Sequence, residues 1–256
     1  MVRLEIPITD NPNPPLAVRL PAIEYHHTEY KMGATIQMKA EWFLTQMQWL
    51  SDNGYQPLTG DELVDFVQGN SQPPQKSCVL RFDLGQPVFQ NFHDVIFPAL
   101  EKFGFHAIFL VLTNMIKDEC KDNYICWDQL KEWQASGLVE IGSHGVYHPD
   151  YKKLTLAGRK WDAKTSKLLI ETKIGHPVRF FGFPFDSVPT RSDLLLKPLG
   201  YSLAFAGYRP ERSIKFKDLT PYSLPCYYPY CGEKTYPIVT GTKKLTFGQM
   251  ISGAAT

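Results

Sequence analysis

The chain has 256 residues, 43% hydrophobic and 21% charged, enough apolar material for one sizeable core and too much for intrinsic disorder. Lys and Arg number 27 against 26 Asp and Glu, a formal charge of +1. No basic excess is therefore available to displace counterions from nucleic acid, and no run approaches the ~18 apolar residues that span a bilayer.

Residues 39–53 carry helical periodicity up to Gly54, and 60–68 read as a second helix with Asp61 near its start. The run CVLRF at 78–82 is a short buried strand. Val88, Phe89, Phe92, Val95, Ile96, Ala99, Leu100 and Phe103 then recur at helical spacing, with Gly104 as a C-cap, and 107–112 is the next strand. That is one βαβ unit, the mark of a parallel sheet. Helices at 127–136, 156–173 and 191–199 alternate with strands at 139–143, 178–183 and 202–206. The pattern predicts one α/β domain over 1–256, a (β/α) barrel or a doubly wound sheet, with active groups at the strands' carboxyl ends.

Three strand ends carry such groups. Asp83 follows the first strand, Ser143-His144 end a later one, and Pro184-Phe185-Asp186 end another. His144 and His148 form an HxxxH pair, a spacing that can hold a divalent metal or place two loop histidines on backbone carbonyls. Asp83 by itself reads as a helix cap, and Asp186 either points into the site or is a solvated turn residue. The five cysteines are too few for a disulfide scaffold, and Cys120/Cys126 and Cys226/Cys231 lack zinc-ribbon spacing, so reduced thiols are expected. With no apolar signal core in MVRLEIPITDNPNPP, the expected setting is cytoplasmic.

Taken together, these segments resemble the polysaccharide deacetylase family, carbohydrate esterase family four, most of all its exopolysaccharide poly-N-acetylglucosamine branch. YHHTEY at 25–30 is similar to that branch's opening segment, and FLTQMQWLSDNGYQPLTGDELVDFV at 43–67 to its first two helices. VLRFDLG at 79–85 resembles the first motif, a strand ending in Thr-Phe-Asp-Asp-Gly. FPALEKFGFHAIFLVL at 97–112 fits the helix and strand that follow. SHGVYHPDYKKLT at 143–155 resembles the second motif, and FGFPFD at 181–186 the third.

The resemblance implies a distorted parallel (β/α) barrel and a hydrolase that removes N-acetyl groups from a carbohydrate by metal-assisted amide hydrolysis. By position, Asp83 is the general base, His144 and His148 are metal ligands, and the Phe185 N–H is the oxyanion donor. Arg81, Pro184 and Asp186 fall on the substrate side.

Four departures bear on that chemistry. Leu84 stands where the family has a ligand Asp, so a zinc-like divalent ion is expected to bind weakly or be absent, and Leu84→Asp to restore it. Arg81 replaces a Thr and brings a guanidinium close to Asp83, which would lower the base's pKa. Gly182 takes the place where many members carry an Arg that orients the base. The family's late general-acid His has no counterpart, His176 being the last in the chain. Two alternatives follow: a degenerate member that binds a glycan or partner without turnover, and a metal-independent, allantoinase-like amide hydrolase.

Overall fold

The structure is a computed structural model that describes residues 15–29, 37–84, 91–121, 124–208, 213–229, 236–237, 244–245 and 247–255. Seven strands make the frame: β1 (Ala22–Tyr25), β2 (Ser77–Leu84), β3 (Ala107–Val111), β4 (Val139–Ser143), β5 (Phe180–Gly182), β6 (Leu203–Tyr208) and β7 (Leu224–Cys226). All are parallel and run in the order β7-β6-β5-β4-β3-β2-β1. The ends then approach each other. Tyr227 N–H donates to Ala22 O at 2.7 Å and Glu24 N–H to Tyr227 O at 2.8 Å, so the sheet curls into a nearly closed barrel, the fold the resemblance implies and one of the two that the alternation leaves open.

Side-chain alternation sorts the core into two layers. Val79, Ile108, Leu110, Phe180, Leu203, Phe205 and Leu224 fill the barrel's interior. Leu80, Phe82, Leu84, Phe109, Val111, Ile141, Phe181 and Ala204 face outward into the layer shared with the helices. The helices include α1 (Ala40–Asp52), α2 (Gly60–Gln68), α3 (Phe97–Phe103), α4 (Trp127–Ala135), α5 (Leu156–Ile174) and α6 (Ser192–Leu196). A π-helical turn, Phe92–Ile96, leads into α3.

α2 closes the amino end. It starts with a capping box, Thr59 N–H donating to Glu62 Oε2 at 2.9 Å and Glu62 N–H to Thr59 Oγ1 at 3.2 Å. Leu63, Phe66 and Val67 then plug the interior, leaving the carboxyl end as the open mouth. Cys120 and Cys126 are disulfide-bonded, which corrects the expectation of reduced thiols there, while Cys78 and Cys226 are free and buried. Among the described residues no helix is long and apolar enough to cross a membrane.

Candidate active site

The alternation that fills the barrel also arms its mouth. Where β2 turns Val79 inward it also turns Arg81 and Asp83 inward. The neighbouring strand places Glu24 beside Arg81, its register partner. Arg81 is 0% exposed. Its Nε donates to Asp83 Oδ1 at 2.9 Å and its Nη2 to Oδ2 at 2.6 Å, a two-pronged grip on one carboxylate. Nη1 stands 2.9 Å from Glu24 Oε2 and 3.4 Å from Cys226 Sγ, to which it donates.

One guanidinium thus serves two buried carboxylates, and they respond in opposite directions. Burial pushes Asp83 up, but attraction to Arg81 overrides it and holds the group well below the usual carboxylate range. Glu24 lies well above that range, because burial outweighs what remains of the attraction. The arrangement reads as an ionised pair, Arg81–Asp83, beside a Glu24 carboxyl that holds its proton more tightly than an ordinary carboxylate.

Gly182 makes this possible. A Cβ there would lie 2.5 Å from Leu110 Cδ1, 3.1 Å from His144 Nδ1 and 3.5 Å from Arg81 Nη2. The Arg81 guanidinium fills the space beside Gly182. Arg81, expected on the substrate side, instead lies beneath Asp83; with no exposed surface it cannot touch a ligand in the cleft.

His144 follows β4 and is 2% exposed. Its Nδ1 is 2.9 Å from Gly182 O; since a carbonyl only accepts, Nδ1 carries the proton and Nε2 presents a lone pair. Nε2 lies 3.5 Å from Asp83 Oδ2. Burial pulls the imidazole down to about 4 against the pull of Asp83, and His148 is lowered for the same reason. Both rings are neutral at pH 7. Their centroids are 4.9 Å apart, and His148 meets the Phe185 ring at 4.3 Å.

The backbone is strained around this cluster. His148, Phe185 and Asp186 all have left-handed φ, at 55°, 56° and 53°, a conformation of order 1–3 kcal/mol for non-glycine residues and frequent at working sites. Pro184 is buried and sets the turn, while Phe185 is 69% exposed. Asp186 is not a solvated turn residue. Its carboxylate turns inward, accepts from Tyr228 Oη and overlies Gly207, where any Cβ would collide with it. Asp150 belongs to a loop tie: it accepts from Ser187 Oγ and from Lys152 N–H at 3.1 Å.

Contacts from Asp83 to His144, His144 to His148 and His148 to Phe185 join these four residues in one cluster. Glu24, His26 and Tyr228 are the polar members that sequence reasoning missed. The signal for Glu24 was a lone charge in the apolar run AIEY.

The donor set implied by the resemblance is not assembled. Leu84 is 1% exposed and faces the outer apolar layer with Phe82 and Val111, opposite to Asp83, so the cleft receives no second carboxylate from β2. Among the described residues, Glu24, His26 and Asp83 are the group whose ligand atoms all lie within 4.8 Å of one another, and there Arg81 already supplies the positive charge between the two carboxylates. Among the described residues a divalent ion would find two neutral imidazoles and carboxylates already engaged, Asp83 by Arg81 and Asp186 by Tyr228, a poor fit. The same geometry revises the expected effect of Leu84→Asp. A buried, unpaired carboxylate among apolar side chains is expected to destabilise the fold by about 3–5 kcal/mol, with zinc or without. Zinc-dependent recovery of wild-type stability, measured by denaturant unfolding, would show instead that the side chain swings into the cleft.

Comparison with known proteins agrees with the fold. The chain is 25% identical over 206 residues to YxkH of Bacillus subtilis (strain 168), covering 80% of this chain and 70% of that one. It is 28% identical over 264 residues to the poly-beta-1,6-N-acetyl-D-glucosamine N-deacetylase of Escherichia coli (strain K12), covering 87% of this chain but only 39% of that enzyme. The deacetylase PplD of Streptococcus pyogenes, solved with acetate, superposes with a TM-score of 0.74 at 20% identity over 84% of this chain and 93% of its own, a likeness of fold. The sequence profile of the polysaccharide deacetylase family matches residues 70–204, more than half of the 256 residues and the stretch that holds Asp83, His144, His148 and Phe185. The chain belongs to the polysaccharide deacetylase family.

Proposed function

We propose that this cleft hydrolyses the acetamide of an N-acetylated sugar, consuming water and releasing acetate and a free amine. The observation that carries it is the convergence of Asp83, His144, His148 and Phe185 at the barrel mouth. Asp83 takes a proton from the attacking water. The Phe185 N–H stabilises the oxyanion that forms as the C–O bond is made. The C–N bond then breaks as Asp83 returns its proton to the departing amine. His144, fixed by Gly182 O, and His148 orient the acetyl group. Acetate release from N-acetylglucosamine oligomers tests the reading.

The two imidazoles support weak metal binding at most. Chelator treatment is expected to shift the melting temperature by no more than about 1 °C, because only a tightly held ion stabilises the fold measurably by mass action. A large drop in melting temperature that zinc reverses would overturn that.

A second reading, glycan binding without turnover, is favoured by Arg81's grip on Asp83, which weakens the base. Oligomer binding without acetate release would select it. The Cys120–Cys126 disulfide supports an oxidising compartment over the cytoplasmic setting expected from composition.

A further inference from the structure

Three large rings stand bare about the mouth of the barrel. Phe185 is 69% exposed, Tyr147 65% and Trp161 53%. Tyr147 and Trp161 lie nearly parallel, at 11°, with centroids 6.3 Å apart. Tyr147 immediately precedes His148, whose ring meets Phe185. α5 begins at the same end of the barrel as the β4 loop, so Trp161, in its second turn, continues the aromatic surface outward from the reaction centre.

The support beneath these rings is rigid. Buried Asp162, next to Trp161, accepts from Val146 N–H at 3.1 Å and from Tyr151 Oη at 2.8 Å, gripping the loop on both sides of Tyr147. Arg159 Nε donates to Tyr151 O at 2.6 Å. Gly145 has φ +86°, and a Cβ there would come 2.4 Å from Asp162 Oδ2; glycine is what lets the loop press against the helix. The two rings thus need little ordering when a ligand arrives, which spares affinity.

Parallel, solvent-facing rings beside a polar cleft suit a ligand with a flat apolar face and a polar rim. A pyranose ring has this shape, with C–H groups on its faces and hydroxyls around its edge. We propose that Tyr147 and Trp161 form a subsite for a second sugar ring of the same glycan, outward from the residue whose acetamide reaches Asp83 and His144. The inference rests on the deacetylase reading of the cleft and adds to it a dependence on chain length.

Calorimetric titration with N-acetylglucosamine, its dimer and longer oligomers tests this on wild type, Tyr147→Ala, Trp161→Ala and Trp161→Phe. Each Ala variant is expected to lose about tenfold in affinity for the longer oligomers, the scale of one aromatic contact. Affinity for the monosaccharide should be unchanged, and Trp161→Phe should keep most of the wild-type binding. Wild-type affinity at every length in both Ala variants, or equal losses for monosaccharide and oligomer, would overturn the subsite alone. Failure of wild type to bind any oligomer would overturn the glycan reading and the subsite with it.

Discussion

Arg81→Met is expected to lower the stability of the fold by about 3–5 kcal/mol at neutral pH, read by denaturant unfolding. Met replaces the volume of the side chain but none of its charge. Asp83 would then be a buried carboxylate beside Glu24 with no cation between them. The loss should narrow on acidification. In the wild type, Asp83 titrates well below its unfolded value, so its contribution is present above the unfolded carboxylate range and lost as pH falls through the folded value. Without Arg81 that contribution is missing at neutral pH and nothing further is lost in acid, so the two unfolding curves converge below about pH 4. Adding Asp83→Asn to Arg81→Met should recover most of the lost stability, since no charge need then remain buried. An Arg81→Met variant as stable as wild type at pH 7 would mean that water reaches this cluster.

How the sequence foreshadows this arrangement depends on element length and on which strand faces which. The long periodic stretches are legible: 39–53 appears as Ala40–Asp52, 139–143 as β4, and 156–173 as Leu156–Ile174. The expected strand at 178–183 shrinks to Phe180–Gly182, because Gly182 leads directly into the Pro184 turn. The expected helix around 88–103 is described from residue 91 onward as a π-helical turn followed by α3. β1 and β7 escape notice because AIEY and LPC are four and three residues long, too short for a periodic signal, and one carries a charge and the other a proline. They nonetheless close the barrel and bring Glu24 and Tyr228 to the site. A pair such as Glu24–Arg81, 57 positions apart in the sequence, becomes visible only once the strand order is known. Alternation also decides the fate of Leu84: a motif comparison places it beside Asp83, whereas the pleat turns successive side chains to opposite faces.

Asp83→Asn is expected to reduce acetate release by roughly 10²–10⁴-fold while leaving the protein folded. Asn is nearly isosteric with Asp but takes up no proton at neutral pH, so it removes the base and little else. The fold survives because the guanidinium keeps a partner. With Asp83 neutralised, Arg81 Nη1 still faces Glu24 at the wild-type separation of 2.9 Å. The raised Glu24 carboxyl, no longer sharing the cation, ionises in its place. That exchange makes the variant a test of chemistry rather than of stability. It also fixes a control, since Asp83→Asn with Glu24→Gln leaves Arg81 buried without any anion and should unfold far more readily than either single variant. In the wild type Asp83 is ionised across the neutral range and His144 sits at about 4, so with Asp83 as the base acetate release should show no acid limb between about pH 5 and 8. Unchanged turnover in Asp83→Asn would move the base to another group in the cleft. Asp186, turned inward over Gly207 and bonded to Tyr228, is the carboxylate placed to take that role.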